Sequence, residues 1–370
     1  MSALLFYAGD DSAVKRMKEF LKRKNIVISA KRYGVDALSA MAQGLFCSLL
    51  VGTIIKTLGQ QLEAAFLVDI GTFASAMSGP AMAVAVGYAL KANPMVLYSL
   101  AAVGWAANAE GGAGGPLSVL IIAIIAAEFG KMVSGETKVD ILVTPGITIL
   151  VGVALAKLVA PPIGSAAIAF GTLIHEATNL QPFLMGIVVS VLAGIALTLP
   201  ISSAAICSVL GLTGLAGGAA VAGCCANMVG FAVLSFRENR WGGLVSQGIG
   251  TSMLQMGNIV RNPRIWLPSI LTSAITGPIA TCVFKLQMNG EPVSSGMGTC
   301  GFVGQIGVVT GWLAPSEKAI ANGASAIDPT VMDWVGLILI SFVLPAVLCW
   351  IFGLLLRRIR WIREGDLKLN

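Results

Sequence analysis

The chain holds one histidine, His175, and a glutamate follows it directly in GTLIHEATNLQPFLMG, residues 171–186. A neutral imidazole donates and accepts hydrogen bonds, and a carboxylate accepts them from hydroxyls, so the pair suits recognition of a hydroxyl-bearing solute. A proton relay is the other chemistry open to it. Adjacent residues point about 100° apart on a helix, so both face one ligand only where the helix breaks. Asn179 with Gln181-Pro182 predicts that break. A membrane-edge turn with satisfied polar groups is the plain structural alternative.

Neutral amides follow. VSQGIGTSMLQMGNIVRNPRIWLP brings Gln247, Gln255 and Asn258 among glycines, and Gln305 sits in a second glycine-rich stretch. We take His175, Glu176, Asn179, Gln255, Asn258 and Gln305 as the substrate-binding candidates. No spacing reads as a metal site, a P-loop or a nucleophile elbow, so no metal, cofactor or catalytic residue is expected. Three other acids interrupt apolar stretches, Asp69, Glu110 and Glu128. Glu110 opens EGGAGGP and either caps a helix beginning near Pro116 or binds ligand; Glu128, one turn before Lys131, reads as an interfacial ion pair. The seven cysteines form no framework and read as small buried hydrophobes.

Elements that can hold such groups must be membrane helices. Apolar residues make up 56% of 370, charged residues 11%, and mean hydropathy is +0.85. Runs of about 20 apolar residues, the length that crosses a bilayer core, recur from Asp36 to Leu356. The spans expected are 36–58, 64–90, 94–109, 116–134, 140–160, 163–178, 181–199, 201–236, 265–287 and 333–356, ten in all. Cations gather before the first span (Lys15 to Arg32) and after the last (Arg357, Arg358, Arg360, Arg363), which predicts an inner-membrane protein with both termini cytoplasmic. These clusters read as topology signals and anionic-lipid contacts, not as a nucleic-acid surface. No cleavable signal peptide is expected, and residues 13–32 read as a basic amphipathic helix with Val14, Met17, Phe20 and Leu21 on its apolar side.

Two stretches do not fit simple spans. Ile201–Phe236 contains GLTGLAGGAAVAG, and Asn289–Ala314 has six glycines between Gly296 and Gly311. Non-helical backbone at membrane depth survives where protein buries it or water lines it, so re-entrant hairpins near 205–225 and 290–312 and a binding cavity are expected. The domain reading is then a tail with an amphipathic helix (1–35), a scaffold or dimerisation half of five helices (36–160), a substrate half with the hairpins (161–356) and a second tail (357–370). In the first half, small residues such as GTFASAMSGPAMAVAVG (71–87) let helices approach closely.

At NIVRNPRIWLPSILTSAITGPIATCVFKL (258–286) the sequence resembles the membrane IIC component (EIIC) of phosphoenolpyruvate-dependent sugar phosphotransferase systems, glucose superfamily. In the lactose and chitobiose type, an Asn-Pro is likewise followed by an aliphatic-Pro-aliphatic helix after a Gly-rich loop. More closely, residues 15–358 resemble the divergent branch of perfringolysin-regulator-type membrane proteins. The resemblance implies a homodimer and a sugar site with a histidine and a glutamate, and His175 is the counterpart available for the histidine. The family's motif glutamate is missing: GIGTSMLQMGN stands in its place, with no acid between Glu238 and Glu291. Glu176 is the substitute at hand. No fused IIB domain is read, so a phosphoryl donor would be a separate IIB protein.

The function expected is an EIIC-like permease that moves a small polar solute, a sugar, by an elevator-like shift of the second half. By itself it is not catalytic. The alternatives are a membrane regulator or sensor that keeps the fold without phosphotransfer, and a phosphotransfer-independent secondary transporter.

Overall fold

The computed structural model describes residues 11–369, and side chains from Lys15 onward. The fold is all-α. An amphipathic helix, α1 (Asp11–Arg23), precedes α2 (Arg32–Gln61), α3 (Ala65–Ala76), α4 (Ser78–Ala89), α5 (Pro94–Gly111), α6 (Gly115–Val133) and α7 (Asp140–Thr178). The second half holds α8 (Pro182–Thr198), α9 (Ser203–Leu210), α10 (Gly214–Leu234), α11 (Phe236–Val245), α12 (Met256–Arg261), α13 (Pro263–Val283), α14 (Val303–Leu313), α15 (Glu317–Ala321) and α16 (Val331–Arg358).

Among the described residues six stretches are long and apolar enough to cross a membrane, or seven if α3 and α4, bent by 46°, count as one span. The ten-span layout is not reached by that measure. One stretch, Pro94–Val133, doubles back. Asn93 caps α5 by accepting from Val96 N at 3.1 Å, and its amide also donates to Ser134 Oγ beyond α6, so both ends of the 40-residue stretch meet. A straight helix of that length would hold them about 60 Å apart.

The two spans expected at 140–160 and 163–178 are one helix, the 39-residue α7. Pro161 and Pro162 lie between those two expected spans. They are accommodated within the helix, and the carbonyl of Pro161 is satisfied by Ser165 Oγ at 3.0 Å. Proline within a membrane helix is tolerated where neighbouring helices and local adjustments take up the backbone groups it frees.

Small residues set the closest crossings of the first half. Gly71 lies against Gly52 and the backbone of Lys56, and Gly79 against Gly104. Larger side chains fill the core behind them: Met41, Met82, Leu100 and Ile122 are fully buried. The same cluster takes in Phe231, Ile265, Ile362 and Leu367, so the C-terminal segment packs into the core of the first half. Asp36 near the start of α2 pairs with Arg261 at 3.8 Å, and the next residue, Asn262, donates to the Asp366 carboxylate at 2.8 Å, which puts the entry to α2 and the C-terminal segment at one end of the bundle.

Of the apolar side expected on α1, Phe20 and Leu21 are half-buried, Met17 is exposed, and Val14 lies outside the described side chains. The helix is tied down through its end instead. Lys24 and Arg23 pair with Glu136 at 2.5 and 2.8 Å, and Lys24 also donates to the Ser134 carbonyl.

Candidate functional site

Glycine governs the two irregular stretches. The α9 helix ends at Gly211 in the left-handed conformation (φ 61°), and α10 then runs a full 21 residues. Ser203 Oγ donates to the Gly296 carbonyl at 2.7 Å and Ser295 Oγ to the Leu212 carbonyl at 2.7 Å, so the turn around α9 meets the loop before α14. Two glycines of α14 pack on that loop, Gly304 on the Gly298 carbonyl and Gly311 on the backbone of Asn289 and Gly290, where a methyl group would overlap.

A buried polar hub lies beneath. Asn227 Oδ1 accepts from Trp266 Nε1 at 2.9 Å and Thr198 Oγ1 at 3.2 Å, while its amide donates to the Gly223 carbonyl and Ser273 Oγ. Thr198 continues the chain to Ser252 Oγ at 2.8 Å. Every member is satisfied within the protein, so the hub fixes α8, α10 and α13 and leaves little capacity for a ligand.

The six candidate side chains fall into three places. His175, Glu176 and Asn179 are exposed at the end of α7, and their side chains make no hydrogen bond or ion pair among the described residues. The expected break is there, with α7 ending at Thr178 and α8 beginning at Pro182. His175 stands 35 residues along α7 from Asp140, roughly 50 Å at 1.5 Å per residue. Asp140 itself adjoins the α1 end of the bundle, where its carboxylate accepts from Gly135 N at 2.7 Å.

Gln255 and Asn258 lie at the α1 end and are buried. Their amides form a chain: Asn258 donates to Gln255 Oε1 at 2.8 Å, Gln255 to Gln247 Oε1 at 2.9 Å, and Gln247 to Ser235 Oγ at 2.8 Å. The same amides hold the C-terminal segment, for Gln255 donates to the Leu367 carbonyl and Asn258 to that of Lys368, both at 2.9 Å. Asn239 completes the clasp, donating to the Leu367 carbonyl at 2.7 Å and accepting from Leu369 N at 2.9 Å. Gln305 lies apart, donating to Ser341 Oγ at 3.0 Å and Cys225 Sγ at 3.3 Å. Its carbonyl oxygen and that of Asn289 are buried without a hydrogen-bond partner.

The other acids have local partners, except Asp69, which is exposed in α3 between Phe66, Ile70 and Phe73. Glu128 pairs with Lys131 at 2.8 Å, as expected, and accepts from Tyr33 Oη at 3.0 Å. Glu110 caps no helix; it pairs with Lys157 of α7 at 3.0 Å because α7 crosses beside the end of α5.

Next to the clasp lies a cleft that the sequence reading missed. Ser39, Gln43, Phe46 and Cys47 from α2 form one wall, Ser246 and Leu254 the other, and Leu369 closes one side, enclosing about 220 Å³. Both walls carry a π-helical turn, Phe46–Leu50 and Ser246–Gly250, and the Phe46 ring lies against Gly250. Such turns are frequent at functional sites, and this pair faces each other across the seam between the halves. An amide, two hydroxyls and an aromatic ring suit a small polyhydroxy ligand: the polar groups pair with its hydroxyls and the ring covers its apolar face. The signal available beforehand was Gln43, the one amide in the stretch from Ala37 to Ile55.

A family model described as Phosphotransferase system, EIIC matches residues 35–369. No curated protein and no solved structure matches.

Proposed function

The chain belongs to the EIIC family of the phosphotransferase system, the multi-pass membrane components of sugar uptake, and from that premise we propose that it is a sugar permease whose ligand binds at the seam between the two halves. The observation that carries this reading is the cleft between the paired π-turns, with Gln43, Ser39 and Ser246 beside the Phe46 ring. Its volume of about 220 Å³ lies below the range of pockets for drug-sized molecules, which favours a monosaccharide-sized ligand.

In this proposal the second half moves against the first in an elevator-like shift, and both termini face the cytoplasm, the side favoured by the cations at that end. Gln255 and Asn258 act on the site by holding the C-terminal segment, whose Leu369 closes one side of it. Gln305, with an oxygen to spare, is a further contact of the moving half. His175, Glu176 and Asn179 form a second polar station at the far end of α7, where a solute leaves or enters. A homodimer is supported by the outer face of α3, where Phe66, Asp69, Ile70 and Phe73 are exposed together. The phosphoryl group would come from a separate IIB protein.

A regulatory role without phosphotransfer is the second reading, favoured by the absence of any acid between Glu238 and Glu291. Uptake of labelled sugars into vesicles, with and without a phosphorylated IIB pool, separates the two. Phosphoryl-dependent uptake of one sugar supports the permease; binding without uptake under either condition supports the regulator.

A further inference from the structure

At the end of the bundle where α10 and α16 finish, two cavities share a wall. One is an apolar groove of about 350 Å³, lined by Val233, Phe236, Trp241, Leu244, Trp350 and Leu354, with Gly353 at its base. The other is a polar cleft of about 700 Å³ holding Arg237, Arg357, Arg360, Arg363 and Lys368 against only Glu238 and Glu364. Arg237 and Arg357 line both.

The charges in the cleft are not spent on the protein. Arg357 pairs with the buried Glu238 at 2.7 Å and donates to the Leu234 carbonyl. The side chains of Arg237, Arg360, Arg363 and Lys368 have no ion-pair or hydrogen-bond partner among the described residues. Four cations side by side repel one another, and an anion that enters relieves the repulsion.

The groove, in turn, is suited to hydrocarbon. Trp241 and Trp350 are more than half exposed at its rim, and Trp241 is held edge-on against Phe236, ring centres 5.4 Å apart. Arg240 carries the chain through a positive φ of 51°, a strained conformation for a residue with a side chain, and Trp241 follows it directly. Tryptophans beside arginines at the end of an apolar helix mark the membrane–water boundary.

We propose that these cavities form one site for an anionic phospholipid, with an acyl chain in the groove and the phosphodiester headgroup among Arg237, Arg360 and Arg363. Basic pockets between helix ends on the cytoplasmic side are where such headgroups are held. The continuity of apolar groove and basic cleft through Arg237 selects a lipid over a free phosphate, which needs only the cleft. The proposal does not rest on the sugar site and stands whether the chain transports or regulates.

The test is native mass spectrometry of the full chain in a neutral detergent, titrated with phosphatidylglycerol, phosphatidylcholine or soluble glycerophosphate. The wild type is expected to retain one phosphatidylglycerol per chain, and Arg237→Gln/Arg360→Gln, both exposed positions, to retain it at least roughly tenfold less, since each surface cation adds appreciably to anionic-lipid affinity. Trp350→Ala is expected to weaken retention with the charges intact, which keeps the question open to experiment if the double variant does not fold. Equal retention of phosphatidylcholine, unchanged retention in the variants, or displacement of the lipid by glycerophosphate would each overturn the proposal.

Discussion

The side-chain amide of Gln255 donates to the backbone carbonyl of Leu367, 112 residues later, at 2.9 Å, with both residues fully buried. With the bonds from Asn239 and Asn258, it joins the second half of the bundle to the end of the chain and makes the C-terminal segment part of the core. Gln255→Leu leaves the Leu367 carbonyl to Asn239 alone and takes the donor from the buried Gln247 Oε1, and a buried acceptor left unpaired costs about 1–3 kcal/mol. Gln255→Leu is therefore expected to lower the unfolding midpoint and to release residues 362–369 to a protease while the bundle stays folded. An unchanged cleavage pattern would show that the clasp does not hold the segment.

Glu128 and Lys131 form a pair with side chains only 11% and 4% exposed. Neutralising one partner strands the other charge, at a cost of about 3 kcal/mol or more. Glu128→Gln should therefore destabilise the protein markedly, while Glu128→Gln/Lys131→Met should recover most of the loss, as thermal unfolding in detergent can measure. Additive losses in the double variant would mean that the two side chains act independently, Lys131 through the Asn25 and Leu90 carbonyls, and would contradict the stranded-charge account.

Glu136 is held below the usual carboxylate range, chiefly by the hydrogen bond from Lys24, with Arg23 adding to it. A depressed folded pKa stabilises above the unfolded value and loses that effect as pH falls through the folded one. The attachment of α1 to the loop after α6 is thus expected to persist at neutral and mildly acidic pH and to loosen below the ordinary carboxylate range. Spin labels at Glu19 and Lys138 would report the separation, and Glu136→Gln should loosen it at neutral pH. Loosening near pH 6 would point to a different group.

Gly304 packs on the Gly298 carbonyl with no room for a methyl group. Gly304→Ala forces the two arms of the loop apart, at a cost of about 1–3 kcal/mol. Cys300, 1% exposed, should then become accessible to thiol reagents. Labelling no faster than in the wild type would show that the loop absorbs the methyl group elsewhere.

What the sequence revealed followed distance along the chain. The Glu128–Lys131 pair is one helical turn long, so its spacing announced it, whereas Tyr33, which bonds the same carboxylate, is 95 residues away. Asn179 with Gln181-Pro182 marked the end of α7 because their chemistry is local, but Pro161-Pro162 carried the same signal and did not stop the helix. Lipid-facing helices tolerate proline that soluble ones do not. The amides of Gln255 and Asn258 were recognised as hydrogen-bonding groups in an apolar setting; composition has no means of saying that their partner is Leu367 or Lys368. A π-turn leaves no periodic mark, and so the seam cleft at Phe46 and Ser246 was invisible.

Binding of a sugar at that seam is tested most directly through Cys47 on its wall. Cys47 and Cys282 are the exposed cysteines among the described residues, so Cys282→Ser leaves Cys47 as the readily accessible thiol. Its alkylation rate should be measured in vesicles against a panel of sugars, in parallel with Gln43→Ala. One sugar is expected to slow alkylation, and Gln43→Ala to abolish that protection without changing the rate in its absence. Equal alkylation with every sugar present, while one of them is taken up by the same vesicles, would contradict binding at the seam and place the site elsewhere.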